Sequence, residues 1–275
     1  EAGLNPFLFE MANIREHCSW VHMREKDAAT QKAKDLVRMA VAKARMHEPQ
    51  TINPEPVVKV GLVIGGGLSG MKAALGLVDQ GFRVVLVEKT GELGGHLRHI
   101  RYLFPGEEEP QMNLEGLRRR VLSSERITLH LNSQVTEVMG SVGKFASKIQ
   151  SPGTEHKLEH GIIIVATGGI EYKPTEYHYG KNKRVVTQSE LEDLIVTKRI
   201  DTLVPKTVVM IQCVGARNKD HPECSRICCG VAVKNALKIK STHPETEVFV
   251  LYKDMRTDGF REDYYKEAAD KEVKF

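Results

Sequence analysis

The sequence predicts an α/β fold in which short parallel strands alternate with helices and the ligand site lies at the strand ends. Three observations lead there. An apolar, β-branched run over residues 57–64 breaks on Gly65, Gly66, Gly67 and Gly70 and gives way to a helical pattern. A second apolar run over 161–165 ends on Ala166-Thr167-Gly168, and a third over 207–212 opens a loop holding four of the five cysteines. Apolar runs this short, bounded by glycine and separated by helical patterns, read as buried strands of a parallel sheet.

Residues 1–50 are expected to form a helical connector. The stretch 1–23 is aromatic-rich and irregular, with the single Trp at Trp20 and His17, Cys18 and His22 close together. Free cysteine is commonly buried, so a packed connector with a buried thiol is the plain reading, against a ligand or redox role for Cys18. Residues 27–46 place Ala29, Ala33, Leu36, Val37, Ala40 and Val41 on one stripe, with lysines and arginines largely opposite. That is an amphipathic helix with a solvated cationic face. The prolines of 49–56 end it and make a linker.

Residues 57–200 are expected to hold the first ligand-binding half. Gly65 permits the tight turn after the strand, Gly67 lets backbone approach a pyrophosphate, and Gly70 lets helix and strand pack closely. The helix opened by Leu68 and Ser69 aims free N–H groups and a partial positive charge at that pyrophosphate. A strand over 83–87 delivers Glu88 to where a carboxylate accepts from ribose hydroxyls. A bare G-x-G-x-x-G is weak, but the strand before it, the helix after it and the acid at the expected distance supply the confirming context for a dinucleotide. The tail from Glu88-Lys89 to Gly94-Gly95, E-K-x-x-x-x-G-G, resembles the FAD site of two-dinucleotide-binding flavoproteins more than that of a simple NAD dehydrogenase. His96 follows directly, either facing the flavin region or as an ordinary surface histidine.

Further along, 111–124 reads as a helix, and 126–131 and 133–138 as strands leading into a meander to 149. Residues 161–169 read as a buried strand ending in A-T-G, where small residues let backbone come close to a ligand. This segment resembles the one that closes the FAD domain in the same flavoproteins. Residues 173–190 read as loop, with Thr187 or Ser189 capping a helix over 190–196.

Residues 205–275 are expected to form a truncated second βαβ domain of the Rossmann type, with a helix over 231–240 and a strand over 247–252. The second glycine loop is missing; Cys213, Cys224, Cys228 and Cys229 stand in its place. Thiolate ligation suits an iron–sulfur cluster or zinc, and a redox disulfide is a further possibility. Zinc sites favour paired C-x-x-C knuckles, which this loop lacks. Arg217, Lys219 and Arg226 put positive charge around an anionic thiolate centre, and helix-start N–H groups suit its sulfurs.

Bulk properties exclude several classes. The net charge is only +4, and no Lys/Arg block with aromatic interleaving suggests nucleic acid. No apolar run reaches the roughly 20 residues of a membrane span, and no signal peptide is visible. Clustered rather than spread cysteines point to a reducing, cytoplasmic setting. The first residue is Glu1, and a strand begins as the sequence ends at Phe275, which reads as a fragment of a longer protein.

The ordered set N-P-F-L-F-E-M-A-N-I-R-E-H-C-S-W-V-H-M, the 65–95 loop, I-Q-C-V-G-A-R with C-S-R-I-C-C, and V-L-Y-K-D-M-R-T-D-G-F resembles the A-subunit of heterodisulfide reductase over nearly the whole chain. The resemblance implies a thioredoxin-reductase-like flavoprotein fold and an FAD- and iron–sulfur-dependent oxidoreductase in which flavin passes electrons to a [4Fe-4S] cluster held by four cysteines. In the family the flavin bifurcates electron pairs between a low-potential ferredoxin and a disulfide-reducing partner. The resemblance further implies FAD contacts at Gly65, Gly67, Leu68, Ser69, Gly70, Glu88, Lys89, Gly94, Gly95, His96, Val135, Ala166, Thr167 and Gly168. Cluster ligands are implied at Cys213, Cys224, Cys228 and Cys229, and the partners are disulfide-reducing subunits with hydrogenase or ferredoxin-type donors. The family's ferredoxin-type runs, C-x-x-C-x-x-C-x-x-x-C-P, are absent, as is an upstream cysteine-bearing segment. Three alternatives remain: the related component of a quinone-interacting oxidoreductase of sulfate reduction, a non-enzymatic zinc-stabilised scaffold, and an NAD(P)H-disulfide reductase, which the missing second glycine loop disfavours.

Overall fold

The structure, a computed structural model, describes residues 3–51, 54–103, 110–203 and 205–275. The chain divides into two compact units, Glu1–Pro56 and Val57–Phe275. In the first, Asn5 Oδ1 accepts from the Phe7 amide at 3.0 Å and caps a single 3-10 turn over Pro6–Leu8. A π-helical turn over Arg15–Ser19 buries Cys18, whose Sγ donates to the Ala29 carbonyl at 2.9 Å. Helix α1 (Lys26–Ala44) buries none of its residues fully: on its apolar stripe Ala29, Ala33, Leu36 and Ala40 are half-buried, while Val37 and Val41 are exposed.

The second unit opens with β1 (Val60–Ile64), α2 (Leu68–Asp79) and β2 (Arg83–Val87). The apolar run starts at residue 57, yet β1 starts only at Val60. The Val58 amide is taken by the Gly143 carbonyl at 2.9 Å, so the first residues of the run serve a neighbouring hairpin. Helix α3 (Pro110–Leu122) and β3 (Ile127–His130) follow. Next come β4 (Gln134–Ser141), β5 (Lys144–Ser151) and β6 (Thr154–His160), an antiparallel three-stranded sheet, and then β7 (Ile162–Val165). The main sheet is parallel throughout, in the order β3-β2-β1-β7.

One face of that sheet packs Val63, Val84 and Leu86 against Met71, Ala74 and Leu75 of α2 and Leu114, Leu117 and Val121 of α3. The other face packs Leu62, Val85 and Val87 against Ile149 of β5. Leu62, Leu86 and Leu114 are fully buried, and truncating any of them to Ala would cost about 2–5 kcal/mol.

Helix α4 (Gln188–Val196) starts at Thr187, whose Oγ1 accepts from the Glu190 amide while Glu190 bonds back to the Thr187 amide, a reciprocal cap. Ser189 is not the cap; its hydroxyl donates to Glu171 at 2.8 Å. A short α5 (Arg199–Leu203) leads to β8 (Thr207–Ile211), α6 (Cys228–Thr242), β9 (Glu247–Leu251) and α7 (Arg261–Asp270). Strands β8 and β9 pair in parallel, and Lys274 forms an isolated bridge with Phe249. Met210, Val248 and Val250 pack with Ala232, Val233 and Ala236 of α6 and Leu191 and Ile195 of α4.

Two strands read as buried are only partly so. Val165 is 70% exposed and Ile162 39%, because β7 is the edge of the four-stranded sheet among the described residues. On β8, Met210 is buried against α6 while Val209 is 53% exposed, so that two-stranded sheet is covered on one face.

Candidate nucleotide and thiol site

The first turn is built by contacts that only glycine permits. Gly65 has φ +108°, and a Cβ there would lie 2.2 Å from the Ala166 carbonyl oxygen. A Cβ at Gly70 would lie 1.8 Å from the Gly65 carbonyl oxygen, so the first turn of α2 sits directly on the loop. Gly67, the N-cap of α2, is the opposite case: a Cβ there meets nothing within 4 Å. Gly65 and Gly70 thus shape the turn, and Gly67 fronts the open space into which the α2 amides point. Leu68 and Ser69 occupy the exposed first turn of α2.

Glu88 leaves β2 at 6% exposure. Its Oε2 accepts from the Gly66 amide at 2.6 Å, and Oε1 accepts from the Thr90 amide at 2.8 Å and the Thr90 hydroxyl at 2.9 Å. A carboxylate offers about four lone-pair sites, so three are used by the chain and one is left for a ribose hydroxyl. The Thr90 bonds are not legible as part of the motif, although Thr90 lies within it. Lys89 is exposed. Gly94 folds back, bridging Gly67 with its amide donating to Gly66 at 2.8 Å, and opens the 3-10 turn Gly95–Arg98. His96 lies on that turn, its ring 6.4 Å from that of His99.

The distant A-T-G segment joins the same place. The Ala166 amide donates to Ile64 at 2.7 Å, and the Thr167 nitrogen lies 3.1 Å from where a Gly65 Cβ would stand. Thr167 and Gly168 are exposed beside the turn. Val135 is placed differently: its side chain packs behind the sheet with Leu62, Val87 and Ile149. Only the head of its strand reaches the site, through the Ser133 amide bonded to the Glu88 carbonyl at 2.9 Å.

The cysteine loop lies between β8 and α6. Cys213 and Arg217 have φ of 61° and 55°, left-handed values that non-glycine residues seldom adopt. Cys228 and Cys229 are the first two residues of α6. Burial pushes the Cys229 thiol pKa up, and Cys228 and Cys213 are close enough to push it further. Arg217 forms an ion pair with Asp254 through Nη2. The Cys224 sulfur accepts from the Arg226 amide at 3.4 Å. Lys219 and Arg226 are exposed.

The donor chemistry fits an anionic thiolate-bound group, because two buried donors at this loop, Gln212 Nε2 and Arg217 Nη1, have no partner. The spacing does not fit a preassembled site: among the described residues no three His, Cys, Asp or Glu side chains stand together so as to hold a metal ion. All five cysteines are free thiols. Sequence reasoning missed the wall formed by residues 254–256, where the Asp254 carbonyl lies 3.8 Å from Cys229 Sγ; the motif is visible in the sequence, its role is not.

Comparison with known proteins agrees with this geometry. Residues 61–211 match the family described as pyridine nucleotide-disulphide oxidoreductase. The A-subunit of the H2:CoB-CoM heterodisulfide,ferredoxin reductase of Methanothermobacter marburgensis is 35% identical over 98% of this chain and 55% of the relative. The second iron-sulfur A-subunit of the CoB–CoM heterodisulfide reductase of Methanopyrus kandleri is 34% identical over 99% of this chain and 55% of the relative. The chain therefore spans about half the length of the curated relatives it matches. The first alignment runs over 363 positions against 275 residues here, so at no fewer than 88 positions (363 − 275) the relative has residues and this chain has none. Among solved structures, L-proline dehydrogenase from P. horikoshii is 20% identical with a TM-score of 0.39, over 60% of this chain and 33% of its own. The family pattern covers more than half of the chain, and the chain belongs to the pyridine nucleotide-disulphide oxidoreductase family, an oxidoreductase similar over nearly all its length to the A-subunits of heterodisulfide reductases.

Proposed function

We propose that this chain is the FAD-bearing electron-transfer part of a heterodisulfide-reductase-type complex. One observation carries the reading: a single unit joins a dinucleotide turn, Gly65 to Gly70 with Glu88 and the closing Ala166–Thr167 backbone, to a thiol loop where a second glycine loop would stand. FAD, when bound, supplies redox chemistry in one- and two-electron steps. The chain's part is to bind and orient it. The α2 amides beyond Gly67 take the pyrophosphate, Glu88 offers its remaining lone pair to a ribose hydroxyl, and Gly94, Gly95 and Thr167 flank the turn.

In the same reading Cys213, Cys224, Cys228 and Cys229 are the ligands of an iron–sulfur cluster, which requires the four thiols to be drawn together as the cluster is loaded. Gln212 and Arg217 would then donate to the thiolate-bound group, an interaction of the kind that tunes such centres. The partners of the complete assembly are disulfide-reducing subunits and hydrogenase or ferredoxin-type donors, and its activity is the bifurcation of electron pairs in the cytoplasm. No helix among the described residues is long and apolar enough to cross a membrane.

Anaerobic purification with an absorbance spectrum and iron, sulfide and zinc analyses tests the reading. Flavin peaks over a broad band that dithionite bleaches are expected. A colourless protein containing zinc would overturn it.

A further inference from the structure

A buried ion pair lies outside both candidate sites. Lys234, on α6 just beyond Cys228 and Cys229, is 8% exposed, and Glu192 on α4 is 5% exposed; Nζ and Oε1 are 2.5 Å apart. Both close on Tyr102, which follows the Gly95–Arg98 turn of the nucleotide loop. Lys234 Nζ donates to the Tyr102 carbonyl at 3.2 Å and stands 4.4 Å from the centre of its ring. The Tyr102 hydroxyl donates to Asn235 Oδ1 at 2.5 Å, and the amide of Asn235 donates to Gln188 Oε1 at 2.7 Å. The second oxygen of Glu192 accepts from the Arg101 amide at 3.3 Å. Burial, and then the Glu192 charge, hold the Tyr102 phenol pKa well above the usual tyrosine range, so its donor proton stays in place.

A second tyrosine makes a matching link on the other side of the nucleotide turn. Tyr172 follows Thr167-Gly168, and its ring lies over Gly215, two residues after Cys213. A Cβ at Gly215 would come within 2.4 Å of Tyr172 Cε1. Tyr102 thus ties the segment after the Gly95–Arg98 turn to the body of α6, the helix that Cys228 and Cys229 open, and Tyr172 ties the segment after Thr167-Gly168 to the cysteine loop at Gly215.

A buried ion pair adds little stability over apolar residues of the same volume, but its directional bonds admit one arrangement. We propose that Tyr102, locked by Lys234 and Glu192, and Tyr172 are positioning residues that hold the nucleotide turn in register with the cysteine loop, so that FAD bound at the first alters the thiols of the second. This rests on the FAD reading above.

The test uses the full chain under reducing, anaerobic conditions. FAD is titrated by quenching of its fluorescence, and alkylation of Cys213 and Cys228 by iodoacetamide is timed by mass spectrometry with and without saturating FAD. In the wild type, FAD should change those rates by roughly fivefold or more, the lower end of ordinary coupling between sites. Tyr172→Ala, whose side chain is half exposed, and the paired Lys234→Met/Glu192→Leu should bind FAD as the wild type does. In both, the FAD effect on the thiols should fall below about twofold. Wild-type rates indifferent to bound FAD, or variants that keep the full effect, would overturn the proposal. Absence of FAD binding by the wild type would appear in the titration itself and remove the FAD reading along with it.

Discussion

Gly70→Ala gives the sharpest test of the nucleotide turn. A Cβ at residue 70 would lie 1.8 Å from the Gly65 carbonyl oxygen and 3.0 Å from its carbon. Carbon–oxygen contacts run at about 3.3–3.6 Å, so the loop or the helix start must give by roughly 1.5 Å. The opposing atoms are backbone, and no rotamer can absorb the clash. Gly65 is pinned as well, its amide donating to Val87 at 2.7 Å and its α-carbon facing the Ala166 carbonyl. The displacement therefore passes into β2 and the closing segment. Overpacking of this kind costs about 1–3 kcal/mol. Falling on the bound state, that is a loss of about 5- to 150-fold in FAD affinity. The assay is a fluorescence titration with FAD beside a thermal melt. Gly76→Ala, on the same helix, is the control: its added Cβ meets nothing within 4 Å. That change should leave the Kd alone and stabilise the helix by about 0.5–1 kcal/mol. A Gly70→Ala protein that binds FAD and melts like the wild type would refute the close-approach reasoning.

Three further outcomes follow from the same coordinates. Lys234→Met alone should lower the unfolding free energy by about 3–5 kcal/mol, because Glu192 is left charged and buried, whereas the paired Lys234→Met/Glu192→Leu should melt near the wild type; urea titrations separate the two. His130, lowered in pKa by burial and then by His156, and His160, lowered by burial, bind a proton less readily folded than unfolded. Their contribution is therefore intact above the unfolded value of about 6.5 and is lost as pH falls below it, so the urea midpoint should drop from about pH 7.5 to about pH 5.5 and His130→Gln should flatten that slope. A wild-type midpoint independent of pH would contradict this. Cys228→Ala should abolish iron binding and spare flavin binding, and retained iron in metal analysis would remove Cys228 from the ligand set.

The parts of the fold legible in the sequence are those where propensity, burial and turn chemistry agree. Strand β2 spans Arg83–Val87, the range expected, since four of its five residues are buried, apolar and flanked by turns. Strand β6 shows the opposite. Its sequence, TEHKLEH, turns His156, Leu158 and His160 toward the covered side while Glu155, Lys157 and Glu159 face solvent. The alternation of a strand is present, but two of the three inward residues are histidines. His160 is fully buried only because Ser147 Oγ at 2.8 Å and the Ile162 carbonyl at 3.1 Å satisfy its ring. Helix α7 escapes the sequence pattern for a related reason: only Ala268 is buried in it, which leaves no apolar stripe to detect.

The candidate site divides along the same line. Spacing finds Gly70 and Glu88 because each is demanded by a contact inside one βαβ unit, and Gly65 because the turn after β1 needs its positive φ, although the atom that crowds it belongs to the distant Ala166. It does not find the partners that other elements supply. Tyr172 lies 43 positions before Gly215 in the chain, and no local pattern relates an exposed loop tyrosine to a glycine with φ 70°. The cysteine loop is harder still, because its path runs through left-handed Cys213, Arg217 and Arg226, residue types that carry no signal for that conformation. A reading from spacing alone brings four thiols to one centre. The backbone sets Cys228 and Cys229 side by side at the start of α6, holds Cys213 in a left-handed turn after β8, and directs Cys224 to the Arg226 amide. Gly215 marks the point where the two accounts meet: any side chain there would drive Tyr172 off the loop, so the turn that gathers Cys213 depends on a contact from the nucleotide side of the molecule.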